Sequence, residues 1–309
     1  MHDENHPDVH AMLRGVRGVL DSYPERMTVG EVYLMDPAQV ARYYGRGDEL
    51  HLAFNFSFLR ASWEAERFAH EIERMEELLR DVPGGWPTLV LSNHDVSRHA
   101  SRYDPAPGEG GDGEARARLA AMMTCTLRGT PFLYYGEEIG MRDVAVPEER
   151  MRDPLAATLH PKLSRDPERT PMQWEPGPGA GFSDGEPWLP IAADAGARNV
   201  AAQRADPGSL LHLYRSLLAL RRRSPALHAG TYRRLEAPAD VLAFERRCGD
   251  DRALVALSFA AETRRVDLPG AAVREGLSTD AARARPATAG RVELGPEEGL
   301  VVRVAPDGA

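Results

Sequence analysis

The feature that most constrains this chain is a repeated alternation. Short apolar runs stop abruptly in polar residues, and stretches with helical periodicity lie between them. The sharpest case is Leu89-Val90-Leu91-Ser92, which runs straight into Asn93-His94-Asp95. A short apolar run that ends this way reads as a buried strand opening into a reactive loop. Upstream, Met27-Thr28-Val29-Gly30 leads into Glu31 in the same manner. The pattern predicts strands over 27–34, 50–56, 88–92 and 131–135, and helices over 6–23, 37–44, 62–79 and 116–127. On the first helix Val9, Met12, Leu13, Val16, Val19 and Leu20 share one face, and on the third Phe68, Ile72, Met75 and Leu79 do. Alternation of this kind predicts an α/β fold, a parallel sheet with crossover helices. Such sheets present catalytic groups at the carboxyl ends of their strands.

Downstream the character changes twice. Over 142–205 periodicity disappears and Pro, Gly, Asp and Arg dominate; a loop this long inside a compact domain is usually functional. Asp206 as N-cap and Pro207 then open a helix through Leu210, Leu211, Tyr214, Leu217 and Leu218, closing on Arg221, Arg222 and Arg223 at the negative end of its dipole. Beyond Pro225, the segments 231–235, 241–246, 253–259, 264–268 and 300–304 are short, strand-like and separated by turn residues, as in a small antiparallel β domain. The expected domains are therefore 1–229 and 230–309.

Charge and composition narrow the partners. The net charge of −9 argues against nucleic acid or an anionic membrane surface. No apolar stretch approaches the ~20 residues of a membrane helix, and the polar, acidic residues 1–5 do not read as a signal peptide. Cytoplasm is the expected location. Cys125 and Cys248 are far apart, without metal-ligand spacing, and are expected to be reduced residues in or near the core. No metal or cofactor is implied.

Among 47 acidic residues most are solvated, so position must single out the functional ones. Glu31 lies among Val29, Gly30, Val32 and Tyr33, where burial would raise its carboxyl toward the range a general acid needs. Asp95 stands at the end of a strand. His94 taken alone reads as a core histidine, the commoner case, and Arg169 as a loop ion-pair partner.

Taken together these residues resemble the α-amylase superfamily of glycoside hydrolases (family thirteen), and within it the α-glucosidase and oligo-1,6-glucosidase branch. Val29-Gly30-Glu31 resembles the fifth-strand motif, whose Glu is the general acid/base. Leu91-Ser92-Asn93-His94-Asp95 resembles the seventh-strand motif, whose Asp stabilises the transition state and whose His bonds sugar hydroxyls. Arg128-Gly129-Thr130-Pro131, continuing to Tyr135-Gly136-Glu137-Glu138-Ile139-Gly140-Met141, resembles the eighth strand and its loop. Arg169-Thr170-Pro171-Met172-Gln173-Trp174 resembles a segment whose Arg helps hold the glucose next to the cleaved bond. Tyr43-Tyr44-Gly45-Arg46 and Leu52-Ala53-Phe54-Asn55-Phe56 resemble the α-glucosidase branch.

The resemblance implies the C-terminal half of a (β/α)₈ barrel, strands five to eight, followed by a β-sandwich. It also implies retaining hydrolysis of a short oligosaccharide or disaccharide, with Glu31 as acid/base, Asp95 as stabiliser, and His94 and Arg169 on the sugar. One element has no counterpart. The family nucleophile is an Asp in a fourth-strand segment resembling Gly-Phe-Arg-Ile-Asp, and nothing in these 309 residues matches it. Asp3 and Asp8 do not follow a strand and are not nominated. The chain is thus expected to be truncated relative to its family and inactive alone. Open sheet edges would favour pairing with a missing N-terminal half-barrel. The alternatives are a trehalose synthase-like transglycosidase, or a non-catalytic fragment or split-barrel partner.

Overall fold

The computed structural model describes residues 5–106, 111–270, 272–283 and 288–305. The chain divides into two compact units, Met1–Val90 with Arg128–Phe132, and Leu91–Leu127 with Leu133–Ala309. Asp3 lies outside the described residues. Among the described residues no helix is long and apolar enough to cross a membrane.

The first unit contains, in chain order, α1 (Val9–Asp21), β1 (Val29–Gly30), α2 (Pro37–Arg42), β2 (Leu52–Ala53), α3 (Phe56–Leu59), α4 (Ala65–Leu79), β3 (Thr88–Val90) and β4 (Thr130–Phe132). The strands are parallel, as the alternation predicts, but shorter than the apolar runs that announce them. β1 pairs with β2 through Val29↔Leu52 and Gly30↔Ala53. β3 pairs with β4 through Thr88↔Thr130, Leu89↔Pro131 and Val90↔Phe132. Pro131 has no N–H to give a further neighbour, which suits a strand with one pairing partner among the described residues.

A side chain links β2 to β3 where no backbone ladder does. The Thr88 hydroxyl donates to the Ala53 carbonyl at 2.9 Å and accepts from the Asn55 amide at 3.1 Å. Asn55 in turn caps α3, its side chain accepting from Phe58 N at 3.2 Å. Gly30 packs closely on Leu50: a Cβ there would lie 2.3 Å from Leu50 Cδ1 and would force that side-chain end to shift. α4 buries Phe68, Ala69, Ile72, Met75 and Leu79 on one face, each large side chain stabilising by about 1.5–3 kcal/mol. Met75 and Leu79 meet Val40, Tyr44, Leu50 and Ala53 in a common core.

α1 departs from expectation. It forms where the periodicity places it, but buries no residue. Val9 and Leu13 pack partly against the core, whereas Met12, Val16 and Val19 are 71%, 50% and 63% exposed. Its attachment is polar instead: His10 Nδ1 and Arg14 Nη1 lie 2.8 and 2.7 Å from the buried carboxylate of Glu49.

The second unit contains α5 (His99–Arg102), α6 (Gly113–Thr126), α7 (Pro154–Thr158), α8 (Val200–Ala205), α9 (Leu210–Arg223), α10 (Pro225–Ala229) and strands β5 (Thr231–Arg234), β6 (Val241–Cys248), β7 (Asp251–Ser258), β8 (Arg264–Asp267), β9 (Val273–Ser278), β10 (Arg291–Leu294) and β11 (Gly299–Val304). The C-terminal sheet is antiparallel, as expected, in the order β5-β6-β7-β11-β9, with β8 and β10 forming a separate ribbon. Val241, Leu254, Val266, Val292, Leu294 and Val302 share the apolar core of these strands. β9 and β10 escaped sequence analysis because Arg274 and Glu275 in the one, and Arg291 and Glu293 in the other, leave neither with an apolar run. The 142–205 segment is less irregular than expected, holding α7 and α8. α9 starts later than predicted: Ser209 is its cap, accepting from His212 N at 3.4 Å, while Asp206 turns back to accept from Gly208 N at 2.9 Å.

Two buried arginines close α6. Arg221 Nη1 donates to the carbonyls of Cys125 and Leu127, each at 2.9 Å, and Arg246 Nη1 to that of Thr126 at 2.7 Å. These are carbonyls that a helix end leaves without intrahelical partners. Cys125 is buried and its thiol is pushed up to about 12 by burial. Cys248 is exposed, against expectation, because it ends β6 at the turn before β7.

Candidate active site

Glu31 follows β1 directly and belongs to the first unit. It lines a cavity of about 530 Å³ together with Asn5, Val9, Val32, Tyr33, Leu34 and Tyr43. The expected burial is absent: Glu31 is exposed, and so are Val29 and Tyr33 beside it. Of its apolar neighbours Val32 is buried, but Val29 and Tyr33 are not, so closeness in sequence to apolar residues did not carry enclosure with it. Tyr33 is nonetheless held. Its hydroxyl accepts from Arg60 Nη2 at 2.5 Å, and its ring lies 4.7 Å from that of Phe56.

The second unit brings His94, Asp95 and Arg169 together. Arg169 Nη2 donates to Asp95 Oδ1 at 2.9 Å, and its Nε to the His94 carbonyl at 2.7 Å. His94 Nε2 lies 3.5 Å from Asp95 Oδ2. The loop folds on itself through the Asn93 side chain, which accepts from Asp95 N at 2.9 Å. His94 is exposed rather than a core histidine, and Asp95 is half-buried.

Sequence analysis missed three further features. A second arginine, Arg165, donates through Nη1 to the same Asp95 Oδ1 at 2.6 Å. Tyr134 and Tyr135 fix the backbone on either side of Arg169, their hydroxyls donating to the carbonyls of Glu168 at 3.1 Å and Thr170 at 2.6 Å. Arg98, fully buried, lies over both tyrosine rings, its Cζ 4.7 and 4.6 Å from their centroids, and donates to the Tyr135 carbonyl at 2.6 Å. The consecutive tyrosines after β4 were the one visible trace of this arrangement in the sequence.

Electrostatics in this unit are uneven. Burial raises the Glu168 carboxyl to about 7, with Asp143 adding to the rise and Arg169 and Arg98 opposing it. Burial also raises Glu138 and Tyr134 above their ordinary values. Asp153, hydrogen-bonded by Arg165, is held well below the usual carboxylate range.

A loop carboxylate fixed by arginines after a parallel strand is an arrangement that α/β folds place at strand carboxyl ends. The family model for the alpha amylase catalytic domain matches residues 1–230, and the chain belongs to that family. It is 36% identical over 276 residues to a probable alpha-glucosidase of Rhizobium meliloti (strain 1021), covering 87% of this chain and 48% of that protein. It is 32% identical over 300 residues to an oligo-1,6-glucosidase of Parageobacillus thermoglucosidasius, covering 86% and 52%. Among solved structures, an alpha-glucosyl transfer enzyme superposes with a TM-score of 0.84 at 32% identity, over 97% of this chain and 55% of that one. The trehalulose synthase of Pseudomonas mesoacidophila MX-45 gives 0.83 at 30% identity, over 96% and 59%. The chain spans about half the length of the curated relatives it matches.

Proposed function

We propose that this chain carries the acid/base and stabilising half of a retaining α-glucosidase site that releases glucose from short α-glucosides. In this reading β1 to β4 are strands five to eight of a (β/α)₈ barrel within 1–229, and 230–309 is the accompanying β-sandwich. Glu31 protonates the departing glycosidic oxygen and then takes a proton from the incoming water. Asp95 accepts sugar hydroxyls most strongly in the distorted, oxocarbenium-like state. His94 and Arg169 hold the ring. The observation that carries the reading is the Asp95 carboxylate gripped by Arg169.

The nucleophilic carboxylate comes, in this proposal, from outside the 309 residues, since no Gly-Phe-Arg-Ile-Asp-like segment lies within them. Its source is a complementary α/β half that packs against residues 12–35. Eight large apolar residues lie exposed there (Met12, Val16, Val19, Tyr23, Met27, Val29, Tyr33 and Met35), and β1 pairs with β2 alone among the described strands. An exposed free thiol at Cys248 suits a reducing compartment such as the cytoplasm.

Incubating the purified chain with p-nitrophenyl α-glucoside tests the reading. No turnover is expected from the chain alone. Turnover is expected when a polypeptide carrying the part of the oligo-1,6-glucosidase relative that this chain does not match is supplied, and Glu31→Gln should abolish it. Turnover by the chain alone that Glu31→Gln abolishes would overturn the need for a second half, and a complemented protein indifferent to Glu31→Gln would overturn the acid/base role. A second reading, transfer or isomerisation, is favoured by the solved relatives described as an alpha-glucosyl transfer enzyme and a trehalulose synthase. Products from maltose separate the two: glucose for hydrolysis, trehalose or another disaccharide for transfer.

A further inference from the structure

Asp95 is not held by Arg169 alone. Arg165 reaches the same oxygen, Oδ1, at 2.6 Å, and the rest of its guanidinium is already committed. Its Nε donates to Asp153 Oδ2 at 2.8 Å and its Nη2 to Asp153 Oδ1 at 2.9 Å. Asp153 has a fully buried side chain and accepts two further bonds, from Arg165 N at 2.7 Å and Leu155 N at 3.2 Å. Both its oxygens are thus satisfied, the condition under which a buried charge pair is tolerable. The backbone beneath is tied as well: Asp166 Oδ2 accepts from Arg152 N at 2.6 Å, Asp153 N at 3.0 Å and the Ser164 hydroxyl at 3.1 Å.

We propose that Asp153, acting through Arg165, positions the Asp95 carboxylate so that Oδ2 is the oxygen offered to a glucosyl hydroxyl. A guanidinium is a rigid planar fork. With Nε and Nη2 bound to a buried carboxylate, its plane and heading are set, and Nη1 can point in only one direction. Arg165 and Arg169 together saturate Oδ1, so rotation of the carboxylate about its terminal bond would break two charge-assisted hydrogen bonds at once. Oδ2 remains on the side of His94 Nε2, 3.5 Å away. Neither Asp153 nor Arg165 reacts; both are positioning residues. The competing account is a loop staple between Asp153 and Arg165 without consequence for Asp95. The proposal rests on the role given to Asp95 above, but its test does not depend on glycoside turnover.

The test is spectroscopic, on the full chain labelled with ¹³C-aspartate and ¹⁵N-arginine at pH 7. Asp153→Asn should move the Asp95 carboxyl ¹³C resonance, although residue 153 does not bond to Asp95. It should also speed exchange of the Arg165 Nη1 protons roughly tenfold, the order expected when a charge-assisted hydrogen bond loosens. Arg165→Gln should move the Asp95 resonance further, and Arg165→Lys should partly restore it. In the Arg165→Gln background, adding Asp153→Asn should move it no more. An Asp95 resonance unmoved by Asp153→Asn and by Arg165→Gln, in chains whose backbone spectra are otherwise native, would reduce the pair to a staple and overturn the proposal. Should Asp153→Asn fail to fold, the two Arg165 variants decide the question alone. A resonance that responds as expected, in a complemented protein that releases no glucose, would sink the hydrolase reading and leave the positioning intact.

Discussion

Glu168→Gln should make this protein more stable at alkaline pH and nearly neutral in effect at acid pH. Glu168 is 5% exposed, between the arginine it precedes and the buried Arg98. Burial opposes its ionisation, Asp143 adds repulsion, and Arg169 and Arg98 offset part of both, leaving the carboxyl at about 7 instead of its ordinary 4.5. Between those two values the folded chain holds a proton that the unfolded chain has lost. Stability therefore falls as pH rises from about 4.5 to about 7 and is level beyond that. At ~1.4 kcal/mol per pH unit the full difference is up to about 3 kcal/mol. Gln keeps the volume and cannot ionise, so it does not incur this cost.

Urea denaturation of both proteins at pH 5 and pH 8, followed by tryptophan fluorescence, reads the effect. Groups common to both proteins, including the raised Glu138 and the depressed Asp153, cancel in the difference. The variant should gain on the wild type by about 1–3 kcal/mol between the two pH values. A gap that stays constant with pH, or that favours the wild type at pH 8, would refute the assignment of a buried, reluctantly ionised carboxylate at this position.

Thr88→Val should cost about 1–3 kcal/mol, because it strands the buried Asn55 amide and removes the donor to the Ala53 carbonyl; Thr88→Ser should recover most of it, and equal urea midpoints for Val and Thr would remove the side-chain link between β2 and β3. Gly299→Ala should cost about 1–3 kcal/mol by overpacking, since the added Cβ would lie 2.9 Å from both Leu119 Cδ1 and Met122 Sδ. Combining it with Leu119→Ala should be less damaging than the sum of the two changes, and strict additivity would count against that contact. For Asp153 the sign is opposite to that of Glu168: its folded carboxyl sits below the ordinary 3.8, so its contribution is complete above that value and is lost as pH falls further. The stability gap between wild type and Asp153→Asn should be flat above about pH 5 and narrow in stronger acid, and a gap that widens in acid would exclude the ion pair with Arg165.

What could be read before any coordinates was whatever the chain writes contiguously. Asn93, His94 and Asp95 are consecutive, so a strand end and its polar burst were visible together, and α4 announced itself because Phe68, Ile72, Met75 and Leu79 repeat at helical spacing. Periodicity, however, states which residues share a face and not whether that face has a partner. The α1 stripe was legible as a stripe, and its exposure at Met12, Val16 and Val19 was not. The same limit applies to Glu31: apolar neighbours predicted burial, but enclosure depends on what packs over the side chain, which neighbours in sequence do not state.

The loop shows the limit most sharply. Asp153 and Arg165 lie in a stretch without periodicity, twelve positions apart, and neither is distinguished by composition from a dozen similar residues nearby. Their relation arises because reciprocal side-chain-to-backbone bonds from Asp153 and Asp166 close the intervening turn. Those bonds replace the secondary-structure ladder that would have left a pattern in the sequence. A loop stabilised in this way satisfies its backbone through side chains, yet leaves no repeating signature, because each bond is made once. Reading such a loop therefore requires asking of every Asp which backbone amide it can reach two or twelve residues away, rather than which of its neighbours are apolar.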